Sequence, residues 1–332
     1  MNYILLIIGF ILLIKGADIF VDSSSNIAKQ LKIPSLIIGL TIVAFGTSAP
    51  EAAVSITASL KGQNGMAVGN IIGSNIFNIL MVVGISGFIK TLSVDKAIIS
   101  KELPFLLLTS MLLFVLTNDI SLQNTSTIIL SRGDGIVLLM FFIIFMYSLV
   151  SISLKSSSSE FSITSDDTIN LRENISAKNQ INIKTMIKET GLSILGIALI
   201  IIGSQIVVDS SSTIASNFGV SDQLIGLTIV SIGTSLPEFV TSIIASIKGE
   251  SSIALGNVIG SNVFNILFVL GASAFISPLT IDPILFIDLL FMIFVTLLAY
   301  LFAIKKSDIN KKESFILIIL YICYMMYLLI TA

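Results

Sequence analysis

The sequence predicts an all-α integral membrane protein with ten transmembrane helices, arranged as two inverted five-helix repeats. Three features predict this fold: the chain is strongly apolar, its basic residues cluster on one side of the predicted spans, and one half of the sequence repeats the other. Of 332 residues, 55% are hydrophobic and only 11% are charged, whereas soluble domains carry about 25% charged residues. We therefore place the chain in a lipid bilayer.

The apolar residues fall into runs that are long enough to cross a bilayer, which takes about 20 residues. Segments 62–89 and 251–281 contain no acidic or basic residue. Residues 1–154 form the first predicted repeat, 155–189 a Ser-rich linker, and 190–332 the second repeat. The ten predicted spans lie near 2–27, 34–60, 66–89, 97–117, 134–154, 190–215, 222–247, 252–276, 284–304 and 314–331.

The basic residues set the predicted orientation. Of 18 Lys and Arg, 15 fall in connections on one side of the spans, only Lys61 and Arg132 fall on the other, and Lys15 lies inside the first span. Because Lys and Arg concentrate in cytoplasmic loops, we expect a multi-pass protein of the cell (plasma) membrane, with both termini outside and the 155–189 linker cytoplasmic. The linker is interpreted as a flexible polar segment, with a regulatory ion-binding loop at Asp166 and Asp167 as the alternative.

An internal duplication links the two halves. Residues 39–84 align without a gap with residues 226–271, at an offset of 187, and 29 of these 46 positions are identical. Each copy holds five predicted spans, and because five is odd, the second copy enters the membrane from the opposite side. Inverted repeats are typical of secondary transporters, whose substrate site lies near the membrane midplane between the repeats.

The first repeated motif places one carboxylate in the middle of a span in each copy. It reads Gly-Thr-Ser-Ala-Pro-Glu at 46–51 and Gly-Thr-Ser-Leu-Pro-Glu at 233–238. A charge at the centre of a membrane costs at least about 3 kcal/mol, so Glu51 and Glu238 must meet a cation, a proton or a polar cavity. The Pro before each Glu predicts a kink at Gly46 and at Gly233. The motif also brings Thr47, Ser48, Thr234 and Ser235 close to the two carboxylates.

The second repeated motif, Gly-Asn-x-x-Gly-Ser-Asn-x-x-Asn, spans 69–78 and 256–265. Its Ser74 and Asn78 are four residues apart and share a helix face, as do Ser261 and Asn265. The two motifs together supply only oxygen ligands, which suit a hard cation such as Ca²⁺. The alternative is structural: a membrane Glu can be a protonated acceptor, and an Asn can hold helices together.

With these motifs, the sequence resembles the cation/Ca²⁺ exchanger superfamily, and within it the prokaryotic sodium/calcium exchanger branch. The resemblance implies that Glu51 and Glu238 are the central Ca²⁺ ligands, together with the backbone carbonyls of Thr47 and Thr234. It also implies that spans one and six form a sliding gate. The Na⁺ positions that it implies are lined by Ser48, Ser74, Ser235 and Ser261 and by the backbone carbonyls of Ala44 and Ser231, with Asn78 completing the centre.

One position departs from the pattern of the branch. Its members often carry Asp where this chain has Asn265. The motif is therefore one carboxylate poorer and more symmetric. This leaves the coupling ion open, because protons could replace some of the Na⁺.

From these residues we expect a secondary antiporter that moves Ca²⁺ outward against inward Na⁺ by alternating access. The alternatives are a proton/Ca²⁺ exchanger, in which the two Glu carry the protons, and a cation channel. No nucleophile with a base and no phosphate-binding loop is present, so we expect neither an enzyme nor a cofactor. A balance of 18 basic against 20 acidic residues argues against nucleic acid. The expected partners are membrane lipids and the transported ions, with no obligatory protein partner.

Overall fold

The computed structural model describes residues 2–118, 127–159, 183–219 and 231–331, and these residues are predominantly helical. We number the helices in chain order. They are α1 Asn2–Leu31, α2 Ser35–Thr47, α3 Ala49–Leu60, α4 Asn64–Ile89, α5 Ile98–Leu116, α6 Arg132–Ser159, α7 Ile183–Asn217, α8 Ser231–Thr234, α9 Leu236–Lys248, α10 Ser251–Ile276, α11 Pro283–Lys306 and α12 Lys311–Thr331.

The helices coincide with the predicted spans. Within the described residues, eight helices are long and apolar enough to cross a membrane, and the bent pair α2–α3 gives a ninth candidate. The remaining predicted span, near 222–247, is represented by α8 and α9, while 220–230 lies outside the described residues. Helices α6 and α7 both extend into the predicted linker. The rest of that linker, including Asp166 and Asp167, also lies outside the described residues.

Two short antiparallel ladders, which the sequence did not predict, connect helix ends. Strand β1 (Leu92–Ser93) pairs with β4 (Asp308–Ile309), and β2 (Ile128–Leu130) pairs with β3 (Leu279–Ile281). Each strand lies in a connection next to a helix end, where the backbone groups still need hydrogen-bond partners. The ladders therefore tie connections from the two halves of the chain together.

The predicted kink in the second span is confirmed. Helices α2 and α3 meet at an angle of 50°, and the break lies at Ser48, two residues after Gly46. Pro50, in the first turn of α3, has no N–H to donate to the Gly46 carbonyl, so the helix cannot continue regularly through this point. Among the described residues, four helices also contain π-helical turns, at Gly39–Val43, Asn78–Val82, Ile98–Glu102 and Asn265–Leu270. Such turns are frequent at functional sites.

Helices α1 and α7 form a tight antiparallel pair. A Cβ atom at Gly16 would lie 2.9 Å from the Gly196 carbonyl oxygen, and one at Gly203 would lie 2.9 Å from that of Gly9. Glycine at these positions lets the two backbones approach closely, as small residues do between membrane helices. These contacts place the C-terminal end of α1 beside the N-terminal end of α7. The two helices therefore run in opposite directions through the bundle.

We expect Gly203→Ala to destabilise the protein. The added Cβ would lie 2.7 Å from the backbone nitrogen of Leu13, which cannot move without shifting the helix, and such overpacking costs about 1–3 kcal/mol. Gly191→Ala on the same helix is the control, because a Cβ there meets nothing within 4 Å. The measurement is the unfolding temperature in detergent. Equal unfolding temperatures for the two variants would contradict the tight pairing.

Candidate ion-binding site

The two predicted carboxylates occupy equivalent positions and have no exposed surface. Glu51 lies in the first turn of α3 and Glu238 in the first turn of α9. Each helix begins directly after a break, at Ser48 and at Ser235. The N-terminus of a helix carries partial positive charge, which favours a carboxylate in its first turn.

Each carboxylate is hydrogen-bonded by a hydroxyl from the other repeat. Ser48 Oγ donates to Glu238 Oε1 at 2.7 Å, and Ser235 Oγ donates to Glu51 Oε1 at 2.9 Å. Both the two serines and the two glutamates are separated by the 187-residue offset, so the two bonds are reciprocal. The site is therefore built jointly by the two halves of the chain.

The two other predicted serines lie in the same cluster. Ser74 Oγ lies 3.0 Å from Ser235 Oγ. Ser261 Oγ lies 3.4 Å from Glu238 Oε1 and 3.4 Å from the backbone oxygen of Ala44. The structure thus brings together the carboxylates, the serines and the Ala44 carbonyl that were selected from the sequence. Ser231 begins α8, and its side chain lies outside the described residues.

Four asparagines link the two halves at the centre of the bundle. Asn75 and Asn262 exchange reciprocal bonds, since the Nδ2 of each donates to the backbone oxygen of the other, at 3.3 and 3.1 Å. Asn78 Nδ2 donates to Asn262 Oδ1 at 3.0 Å, and Asn265 Nδ2 donates to Asn75 Oδ1 at 3.1 Å. Asn78 and Asn265 were selected from the sequence as site residues, whereas Asn75 and Asn262 were not.

Four buried oxygens of these residues have no hydrogen-bond partner among the described residues. They are Oε2 of Glu51, Oε2 of Glu238, Oδ1 of Asn78 and Oδ1 of Asn265, so each repeat supplies one carboxylate and one amide oxygen. A buried acceptor without a partner costs about 1–3 kcal/mol, and a charged one costs more. When both carboxylates are ionised, all four atoms can accept but not donate, which suits a cation.

The two predicted threonines bond to asparagines. Thr47 Oγ1 donates to Asn257 Oδ1 at 3.0 Å, and Thr234 Oγ1 lies 3.3 Å from Asn70 Oδ1. Asn70 and Asn257 are a second pair that sequence reasoning missed as site residues, although both stand in the repeated motif. The available signal was their repetition at the 187-residue offset.

A cleft of about 860 Å³ leads from one end of the bundle to the edge of the site. It separates α7 from α3, and its inner end is lined by Ala49, Pro50, Gly233 and Thr234, next to the site serines. Thr234 is partly exposed, whereas the equivalent Thr47 is buried. The two repeats are therefore not in identical surroundings: one side of the site opens to a cleft.

Candidate membrane-spanning helices, paired buried carboxylates and a cleft leading to them define a membrane ion transporter. The family model for sodium/calcium exchanger proteins matches residues 1–151 and 188–330. A relative from Alkalimonas amylolytica is 40% identical and aligns over 97% of this chain and 96% of its own length. The sodium/calcium exchanger MaX1 of Methanosarcina acetivorans is 31% identical, with 98% of each chain covered.

A solved structure is similar over nearly the whole chain. It is that of the sodium-calcium exchanger NCX_Mj, soaked with 10 mM Na⁺ and zero Ca²⁺, which has a TM-score of 0.81 at 31% identity and covers 98% of this chain and 97% of its own. The chain belongs to the sodium/calcium exchanger protein family, which confirms the resemblance found in the sequence. Members of this family are cation/Ca²⁺ antiporters of the membrane rather than enzymes.

Proposed function

We propose that the chain exchanges Ca²⁺ for Na⁺ by alternating access, with ions bound at the site built around Glu51 and Glu238. One observation carries the proposal: two fully buried carboxylates, one from each repeat, are joined by reciprocal hydroxyl bonds and lie among unpartnered oxygens. A second ionised carboxylate balances the second charge of Ca²⁺. Because Na⁺ would use the same oxygens, each ion species excludes the other, and exclusion is the basis of exchange.

The ligand set that we propose is the one selected from the sequence. Glu51, Glu238 and the backbone carbonyls of Thr47 and Thr234 hold Ca²⁺. The burial of both carboxylates next to Thr47 and Thr234, which lie one helical turn before them, supports this set. The Na⁺ positions are lined by Ser48, Ser74, Ser235 and Ser261, the carbonyls of Ala44 and Ser231, and the amides of Asn78 and Asn265.

The proposed architecture is ten spans in two inverted five-helix repeats. Reciprocal bonds between residues 187 apart support it, because such exchange is what a two-fold relation between the repeats produces. The antiparallel pairing of α1 with α7, the first helix of each repeat, supports the inversion. We also propose the division into a first repeat at 1–154, a linker at 155–189 and a second repeat at 190–332, with α6 and α7 extending into the linker.

The proposed orientation, with both termini outside the cell membrane, has a direct test. We expect a cysteine at Ser158 to react only from the cytoplasmic side and a cysteine added after Ala332 only from outside. The parent for both variants is Cys323→Ser, since Cys323 is exposed. A membrane-impermeant thiol reagent on oriented vesicles makes the measurement. Labelling of both positions from the same face would contradict the ten-span arrangement.

Isotopic Ca²⁺ uptake into vesicles tests the transport proposal. We expect Na⁺-loaded vesicles containing the protein to accumulate Ca²⁺ against its gradient when Na⁺ is diluted outside, at equal pH on both sides. Uptake driven by a pH gradient without Na⁺ would favour the proton/Ca²⁺ exchanger instead. Ca²⁺ movement that only ever follows its own gradient would favour a channel.

A further inference from the structure

The end of α1 that lies away from the cleft carries a cluster of paired charges. Lys248, the last residue of α9, places its Nζ 2.6 Å from Asp18 Oδ1 and 2.7 Å from Asp22 Oδ1, both on α1. Lys248 Nζ also donates to the backbone oxygen of Asp18 at 2.9 Å. Lys15 is three residues from Asp18 on the same helix, but the partner that contacts the Asp18 carboxylate is Lys248.

A second set of contacts fastens the same part of α1. Ser25 Oγ donates to Glu250 Oε1 at 2.7 Å, and Lys29 Nζ lies 4.0 Å from that oxygen. Glu250 directly precedes α10. The charged groups remain partly exposed, and Lys248 and Glu250 lie at the connection between α9 and α10.

The equivalent positions at the opposite end of the bundle lack most of these charges. At the 187-residue offset, Lys248 corresponds to Lys61 and Asp22 to Asp209, but Asp18 corresponds to Gln205, Glu250 to Gln63 and Lys29 to Ser216. Only one of the three ion pairs, the one equivalent to Lys248–Asp22, could form there. This is also the end at which the cleft separates α7 from α3. At one end of the bundle, ion pairs hold α1 against α9. At the other end, most of the equivalent charges are missing and a cleft separates α7 from α3.

We infer that Lys248, Asp18, Asp22 and Glu250 form an ionic latch that holds α1 against α9 and α10, and that this latch closes the predicted cytoplasmic face while the outer cleft is open. The missing charges on the opposite face bias the chain toward this conformation. The inference rests on the proposed alternating access. None of the four latch residues belongs to the ion-binding site, so the latch sets the balance between the two conformations and not the choice of ion.

Two equivalent residues can report the two faces. Val208 lines the outer cleft, whereas Val21, at the same position of α1, has no exposed surface. In a Cys323→Ser background, Val208→Cys reports the outer cleft and Val21→Cys reports opening at the inner end. The probe is an impermeant maleimide, applied to each face of oriented vesicles.

We expect Lys248→Met to raise the labelling rate of Val21→Cys from the cytoplasmic face and to lower that of Val208→Cys from outside. Loss of two partly exposed ion pairs predicts a change of about three- to tenfold. Lys61→Met is the matched control, because Lys61 occupies the equivalent position outside the latch, and it should leave labelling of Val21→Cys unchanged. The latch would be overturned if Lys248→Met protein transports Ca²⁺ normally and its Val21→Cys is labelled at the same rate as in the parent.

A charge reversal and a gain of charge give independent tests. Lys248→Asp combined with Asp22→Lys should return labelling toward the parent rate, whereas Lys248→Asp alone should not. A triple variant rebuilds the missing charges on the outer face: Gln205→Asp, Gln63→Glu and Ser216→Lys. Because the new ion pairs would hold the outer cleft closed, we expect slower labelling of Val208→Cys. Unchanged labelling in this triple variant would contradict the bias. If labelling responds as expected but the parent shows no Na⁺-driven Ca²⁺ uptake, the exchange proposal fails and the latch stands.

Discussion

Glu51→Gln and Glu238→Gln are each expected to abolish Ca²⁺ transport while leaving the protein folded in the membrane. Glutamine keeps the shape of the side chain and an oxygen that can accept from Ser235 or Ser48. It removes one of the two negative charges that offset Ca²⁺. Removing one partner of a buried charge pair costs about 3–5 kcal/mol, which corresponds to a loss of Ca²⁺ affinity of roughly one hundredfold to several thousandfold.

The measurement is Na⁺-driven Ca²⁺ uptake, with folding checked by size-exclusion chromatography in detergent. Glu102→Gln is the matched control, because Glu102 is also a buried carboxylate but lies on α5, which carries neither repeated motif. We expect this variant to retain transport. Near-normal Ca²⁺ flux in either Glu51→Gln or Glu238→Gln would remove the carboxylate pair from the mechanism.

The spans and the selected site residues were predictable because their signals are local or repeated. An apolar run of about 20 residues identifies a span by length alone, and Pro50 identifies the kink through its missing N–H. Repetition at an offset of 187 then separates Glu51 and Glu238 from carboxylates such as Glu102, which are buried but not repeated. A residue type that recurs in both copies of a duplicated chain indicates a shared site.

The contacts that join the repeats were not predictable, because sequence spacing does not show which helices are neighbours. Asn75 and Asn262 stand in the motif next to the selected serines, but only the packing of α4 against α10 brings them together. Lys248 is 226 residues from Asp22, and no periodicity connects them. The π-helical turns that begin at Asn78 and Asn265 were also not predicted, since such turns are rare and have no established sequence pattern.

The second large effect is expected at Asn265, where members of the branch often carry Asp. We expect Asn265→Asp to lower Ca²⁺ transport about tenfold or more at alkaline pH and to make it far more pH-dependent than in the parent. Asn265 Nδ2 donates to Asn75 Oδ1 at 3.1 Å, and a carboxylate oxygen in its place would face another acceptor. An unsatisfied buried polar group costs about 1–3 kcal/mol, where each 1.4 kcal/mol is about a factor of ten.

The loss at Asn265→Asp should be relieved as the pH falls, because a protonated carboxyl can again donate to Asn75 Oδ1. Asn78→Asp should behave in the same way, since Asn78 Nδ2 donates to Asn262 Oδ1 at 3.0 Å in the equivalent bond. Asn265→Ala distinguishes the effect of an added charge from the loss of the hydrogen bond. It removes the amide but adds no carboxylate, so the pH profile of its Ca²⁺ transport should follow that of the parent. Initial rates of Na⁺-driven Ca²⁺ uptake over a pH series make the measurement. If both Asp variants keep the parent's pH profile and Na⁺ dependence, the hydrogen bonds of Asn78 and Asn265 do not control Ca²⁺ transport and the prediction is wrong.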